Sequence, residues 1–217
     1  MTEGHPLVAI LRAAAAGDTP PPDGVVEVLP APPGPVDAVL GFTNHLVVAS
    51  SVDAREVVQQ LDSRDPSSWM AARFLFWLAE RLRTQTGSHD LVLCAPGMRD
   101  EVDLELREVG AELADHPRVR RAARHRTDLL VFTDPDELCV LVLGRGLAGR
   151  WELAIEVEAG GRNRGLGRRM ALAARTLIPE GEAVFAQVAP GNAASVRAVL
   201  AAGFHPIGSE VLFPRAR

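Results

Sequence analysis

The 217-residue sequence contains no tyrosine and no lysine, so all of its 23 basic side chains are arginine. Every basic group is therefore a permanently charged, planar guanidinium, and no phenol is present to donate a proton. Cysteine is almost absent. Cys94 and Cys139 each sit in an apolar, strand-like run, which reads as two buried core thiols and not as a redox or metal pair. The six histidines are scattered, without C-x-x-C or H-x-x-x-H spacing, so no zinc site is expected. The first residues, Met1-Thr2-Glu3, lack a basic n-region, and Arg12 interrupts the short apolar run after them. No signal peptide and no membrane span are expected, and hence a cytoplasmic protein without a membrane partner. The formal net charge of −5 argues against a general nucleic-acid surface.

The composition present, 47% hydrophobic and 24% charged, is that of an ordinary globular chain. Its length suits one sizeable domain, or a small lobe plus a domain. Leu7 to Ala16 reads as a short helix, ended by a proline-rich break from Gly17 to Gly24. Val25–Leu29 has a strand pattern, and Ala38–Thr43 and His45–Ser50 form a hairpin pattern around Asn44. Asp53 is placed to cap a helix running to Leu61, and Pro66 to open a longer one to about Arg83. Trp69, Phe74, Trp77, Leu78 and Leu82 give that second helix a core-facing stripe.

Leu91–Ala95 reads as a buried strand, and Met98–Leu113 as a helix with Val102, Leu106, Val109 and Leu113 on one side. The basic run from Arg118 to Arg126 reads as a solvated helix face, with a rim for an acidic ligand as the alternative. Leu129–Thr133, Leu138–Leu143 and Trp151–Val157 follow as strands. Gly144, Gly146 and Gly149 match the dinucleotide pattern G-x-G-x-x-G in form only. That turn must open a helix, and here a strand follows, so a hairpin connection is expected and not a nicotinamide site.

The stretch from Trp151 to Phe204 reads as strand, glycine turn, helix, strand, turn, helix. Its first turn, Arg162-Asn163-Arg164-Gly165-Leu166-Gly167-Arg168-Arg169, puts glycines and arginines at a helix N-terminus. Free amides and the positive end of the helix dipole make that a seat for a phosphate or pyrophosphate. Arg162-x-x-Gly165-x-Gly167 resembles the acyl-coenzyme A signature of the GNAT N-acetyltransferases. Asn192-x-x-Ser195, with Gly203-Phe204 eleven and twelve residues past Asn192, resembles that family's second cofactor motif. The resemblance covers Leu138 onward directly.

The fold it implies is α/β with a mixed, α+β-type sheet: a GNAT-like central mixed β-sheet flanked by helices, at residues 89–217, plus an N-terminal α/β lobe at residues 1–88. That lobe is either a degenerate half of a second such unit or a cap on the acceptor site. GNAT domains usually finish with two strands, and only one strand pattern, Ile207–Phe213, remains here. The N-terminal lobe or a second protomer in a homodimer is therefore expected to complete the sheet.

The activity implied is transfer of an acetyl group from acetyl-CoA, as co-substrate and without a metal, to a primary amine of a small molecule or peptide. A non-catalytic acyl-CoA-binding module is the alternative. The chain has no G-x-S-x-G elbow and no cysteine beside a likely base, which suits direct attack without a covalent intermediate. The resemblance assigns the coenzyme arm to main-chain groups of Ile155 and Val157, and the pyrophosphate to Arg162, Arg164, Gly165, Leu166, Gly167, Arg168 and Arg169. Asn192 and Ser195 complete the cofactor set. Glu152, Ala154 and Glu156 share one strand face, and Glu152, then Glu156, are the candidate bases. Many members carry a tyrosine seven residues after the asparagine; Val199 stands there. Ser195 or water is left as the proton donor to the departing thiolate.

Overall fold

The structure, a computed structural model, describes residues 4–62 and 64–215. Met1–Glu3, on which part of the expectation of no targeting segment rested, lie outside the described residues. Helix α1 (Pro6–Ala15) starts where proline is tolerated, with the His5 ring accepting the Leu7 N–H. It buries Leu7, Val8, Leu11 and Ala14. Strand β1 (Val26–Leu29) lies parallel to β3 (His45–Ala49), which forms a hairpin with β2 (Val36–Phe42). Asn44 takes the left-handed conformation that the hairpin turn needs, at φ 50°. Asp53 caps α2 (Ala54–Gln59) as expected, accepting the Arg55 N–H.

Two expected helices are corrected. The one opened by Pro66 is broken. A 3-10 turn (Pro66–Ser68) comes first, extended Ala71 interrupts, and α3 (Ala72–Leu82) follows. Trp69 folds into the core at the break, and its indole N–H donates to the Asp62 carbonyl at 2.8 Å. The Met98–Leu113 helix does not form. After β4 (His89–Pro96) the chain is irregular up to β5 (Arg107–Glu108), with a 3-10 turn at Gly110–Leu113. Asp100, Glu101, Asp103 and Glu105 would crowd like charges on one helix, while β5 gains ladder partners in β6 (Thr127–Thr133). Helix α4 (Pro117–Ala122) separates the two.

β6, β7 (Cys139–Arg145) and β8 (Trp151–Val157) form an antiparallel meander. Helix α5 (Leu166–Thr176) crosses to β9 (Ala183–Val188), parallel to β8. Helix α6 (Ala193–Ala201) leads to β10 (His205–Pro214). All ten strands join one mixed sheet in the order β1-β3-β2-β10-β4-β9-β8-β7-β6-β5. The sheet runs unbroken across the boundary expected at residue 88, and it is the N-terminal hairpin that covers the far side of β10. Helices α5 and α6 pack on one face against Leu153, Val184 and Ala186. On the other, α1 packs against Val92, Cys94 and Phe185, and α4 against Val131, Val140 and Val142. No described helix is long and apolar enough to cross a membrane.

Candidate functional site

Strands β8 and β9 pair only from Trp151–Val184 to Leu153–Ala186. Beyond that, β8 stays with β7 as far as Val157, and β9 stays with β4 as far as Val188. The two strands therefore part after Leu153 and leave a gap. Main-chain groups alternate sides along a strand. The Leu153 and Val157 carbonyls accept from arginines on the gap side, whereas the Glu158 N–H donates toward β7. By that alternation the Ile155 N–H also faces the gap.

The turn before α5 lies beside this gap. Gly165 begins the helix at φ 74°, and no side chain caps it. The N–H groups of Leu166, Gly167 and Arg168 have no acceptor among the described residues; the first satisfied amide is Arg169, bonded to the Gly165 carbonyl at 3.1 Å. Gly167 sits where α5 packs near β8 and α6, with room for a Cβ in ordinary contact with Val157 and Ala198 at 3.6 and 3.7 Å. Exposed Arg162 and Arg164 hold the preceding loop through the Val157 and Gly160 carbonyls, and Arg168 reaches the Ala201 carbonyl of α6. Asn192 caps α6, its Oδ1 accepting the Ser195 N–H at 3.1 Å. Ser195 itself is half-buried, and Val199 is a core residue at 4% exposure. Helix dipole, uncapped amides and four arginines together favour a phosphate-bearing ligand.

The opposite sheet face corrects the first candidate for the base. Glu152 is fully buried. Its Oε2 accepts from Arg126 Nε at 2.9 Å, and its Oε1 accepts from Arg150 Nε at 2.8 Å and the Leu147 N–H at 3.1 Å. Burial pushes the carboxyl toward the neutral form, but Arg150 and Arg126 outweigh it and hold its pKa below the usual carboxylate value. A carboxylate that holds three donors and meets no solvent is a structural ion-pair partner, not a base for an incoming amine. Gly146 makes room for it: a Cβ there would lie 2.2 Å from Glu152 Cδ. Arg150, also fully buried, spans from Glu152 to both oxygens of Glu210 at 2.6 and 2.8 Å. Among the described residues Arg150 is the one side chain bonded to Glu210, and burial raises the Glu210 pKa.

Glu156, the second candidate, is half-buried and bonded to Arg118 Nε at 3.0 Å. It comes together with His116 and Glu158, with ligand-type atoms all within 4.8 Å of one another. A 370 Å³ cavity lies beside them, lined by His116, Glu158, Arg107, Glu112, Thr133 and Val140. His116 already accepts the Arg118 N–H on Nδ1, and Arg118 competes for Glu156. The trio would have to rearrange before it could hold a cation. Its members come from segments forty residues apart, so no spacing rule could find it.

The basic run is also corrected. Arg120, Arg121 and Arg124 are exposed, but Arg118 and Arg126 turn inward to the two strand glutamates. The signal available was the strand itself. Two glutamates on the buried face of β8 require cationic partners.

No protein-family model matches the chain, and no curated protein matches it. Among solved structures it is similar to a GNAT-family acetyltransferase from Colwellia psychrerythraea, at 14% identity and a TM-score of 0.40, over 67% of this chain and 63% of that one. A GCN5-related N-acetyltransferase from Kribbella flavida is also similar, at 14% identity and a TM-score of 0.42, over 62% and 61%. A putative GNAT-family acetyltransferase from Novosphingobium aromaticivorans is 16% identical at a TM-score of 0.41, over 61% and 66%. The chain thus spans less than two thirds of the length of each of these proteins.

Proposed function

We propose that the chain is an N-acetyltransferase that moves an acetyl group from acetyl-CoA to a primary amine of a small molecule or peptide. The observation that carries this reading is the parting of β8 and β9 after Leu153 beside the uncapped, arginine-rich start of α5. The amides of Leu166, Gly167 and Arg168 would hold the pyrophosphate, helped by Arg162, Arg164 and Arg169. Gap-facing groups of Ile155 and Val157, with Asn192, would hold the coenzyme arm. The thioester supplies an activated acyl group, and a main-chain N–H from Ile155 or Val157 would steady the negative charge that develops on its oxygen. The amine nitrogen forms the new C–N bond as the C–S bond breaks. Its proton passes to Glu156, or through water toward His116 and Glu158. The departing thiolate takes a proton from Ser195 or water, since buried Val199 offers none.

Calorimetric titration with acetyl-CoA, with NAD as control, tests the proposal. Saturable one-site binding of acetyl-CoA alone is the expected result, and no binding would overturn it. A second reading, a non-catalytic acyl-CoA-binding module, is favoured by the locked Glu152 and the apolar Val199. Tight binding without release of free CoA across a broad amine panel would select it.

A further inference from the structure

Arg126 enters the sheet from the loop between α4 and β6, and its side chain is only 9% exposed. Besides the bond to Glu152, its Nη2 donates to the Leu153 carbonyl of β8 at 3.3 Å and to Gln187 Oε1 of β9 at 3.0 Å. One guanidinium thus bridges the two strands at the rung where they part. Its remaining nitrogen, Nη1, is buried with no partner among the described residues. A guanidinium only donates, so Gln187 must present its oxygen to it, which turns the amide nitrogen away. That Nε2 is likewise buried and unpartnered, and so is Nδ1 of the adjacent His125.

Two unpartnered donors at one rung, with a third unpartnered atom on the neighbouring residue His125, is a concentration that a folded protein normally avoids, since a buried polar group left unpaired loses its bonds to water without replacement. Two of the three can only donate, so what satisfies them must bring oxygen acceptors. The strength of the bond narrows the choice. Arg126 and Arg150 share Glu152, and Arg150 also holds Glu210, so these four charges balance. A neutral carbonyl would meet the geometry, but a carboxylate makes the stronger, charge-assisted bond to a guanidinium N–H.

We propose that Arg126 Nη1 and Gln187 Nε2, with His125 beside them, form a subsite for a substrate carboxylate at the head of the gap between β8 and β9. The identity of the substrate rests on the transferase reading above; the subsite does not. The carboxylate belongs either to the acceptor, as in an amino acid, or to the acyl group, as in a dicarboxylic acyl thioester. In neither case does it react. It orients the molecule that carries it, while the amine displaces the thiolate.

The experiment uses matched probes on the full chain. Glycine, L-leucine and L-phenylalanine are compared with their primary amides as acceptors for acetyl-CoA, and succinyl-CoA is compared with acetyl-CoA as donor. Each is read by CoA release and, without coenzyme, by calorimetric binding of the acid and the amide. A preference of tenfold or more for the carboxylate form in either arm, reduced to under threefold by Gln187→Leu and by Arg126→Lys, is the expected result. The arm in which it occurs identifies which substrate carries the group. Gln187→Leu keeps the size of the side chain and guards against loss of folding at buried Arg126. No preference in wild type, or a preference that survives both substitutions, overturns the subsite and leaves water as the partner of these atoms. If acetyl-CoA does not bind but acids still outbind amides with the same loss in the variants, the subsite stands and the transferase reading falls.

Discussion

Replacing Arg150 by methionine should be among the most damaging single changes in this chain. Methionine keeps the length of the stem lying over the Phe185 ring, where the guanidinium carbon sits 4.8 Å from the centroid. It removes the charge from a site with no exposure. Glu152 would retain Arg126 and the Leu147 N–H, but Glu210 would lose its one partner among the described residues. Stripping one member from a buried ion pair costs about 3–5 kcal/mol. For a chain of this length that is a fall in Tm of roughly 6–20 °C. The cost must depend on pH. Burial already raises the Glu210 pKa above 4.5, and removing Arg150 raises it further. A carboxyl whose pKa is higher folded than unfolded favours the fold only while it is protonated. The deficit is therefore smallest below the unfolded value and grows as pH rises above it. Denaturant melts of wild type and variant at about pH 5 and about pH 8 would measure this, with the larger gap at the higher pH. Adding Glu210→Leu should recover part of the loss by replacing the broken pair with apolar contact. A loss under about 1 kcal/mol, well below the range for a broken buried pair, would refute the reasoning. So would a loss equal at both pH values.

Gly146→Ala should destabilise by about 1–3 kcal/mol in a denaturant melt, because its Cβ would overlap the Glu152 carboxylate, which cannot leave its three donors. Gly165→Glu should leave the fold intact apart from about 1 kcal/mol of left-handed strain, since no atom lies within 4 Å of the new Cβ. It should weaken acetyl-CoA binding in calorimetry by tenfold or more, because a carboxylate would stand before the uncapped amides of α5. Cys94 and Cys139 have their thiols pushed up to about 12 by burial. A thiol-alkylating reagent near neutral pH should leave both unmodified in the native protein and label both in denaturant, as read by mass.

The sequence made β8, the glycine turn, α5 and β9 legible because each had its own local signal. The apolar strand, Gly165, the helical period and a second strand follow one another without competition. The hairpin at Asn44 and the Asp53 cap were legible for the same reason. The segment from Met98 to Leu113 was not. Its apolar residues recur at helical spacing, yet the decisive contact, β5 with Phe132 and Thr133, comes from the far side of α4. The role of Glu152 was hidden in the same way. Alternation put it on a face with Glu156, but only the tertiary fold shows that Arg126 and Arg150 close over it while Glu156 stays within reach of solvent. The break after Leu153 left no local trace either, because both strands keep their strand pattern past it, to Val157 and to Val188.

The position of β10 has a consequence for how the molecule is made. Among the described strands it alone joins the N-terminal set β1-β3-β2 to the rest, with β2 on one side and β4 on the other. It is also the last strand in chain order, so its pairing of Val211 with Val39 closes a loop of most of the sequence. Until β10 leaves the ribosome, β2 and β4 each carry an open edge of unpaired amides, the kind of edge that recruits strands from other chains. Assembly of the sheet therefore waits on β10, and the nascent chain passes through a stage at which a chaperone has two edges to shield.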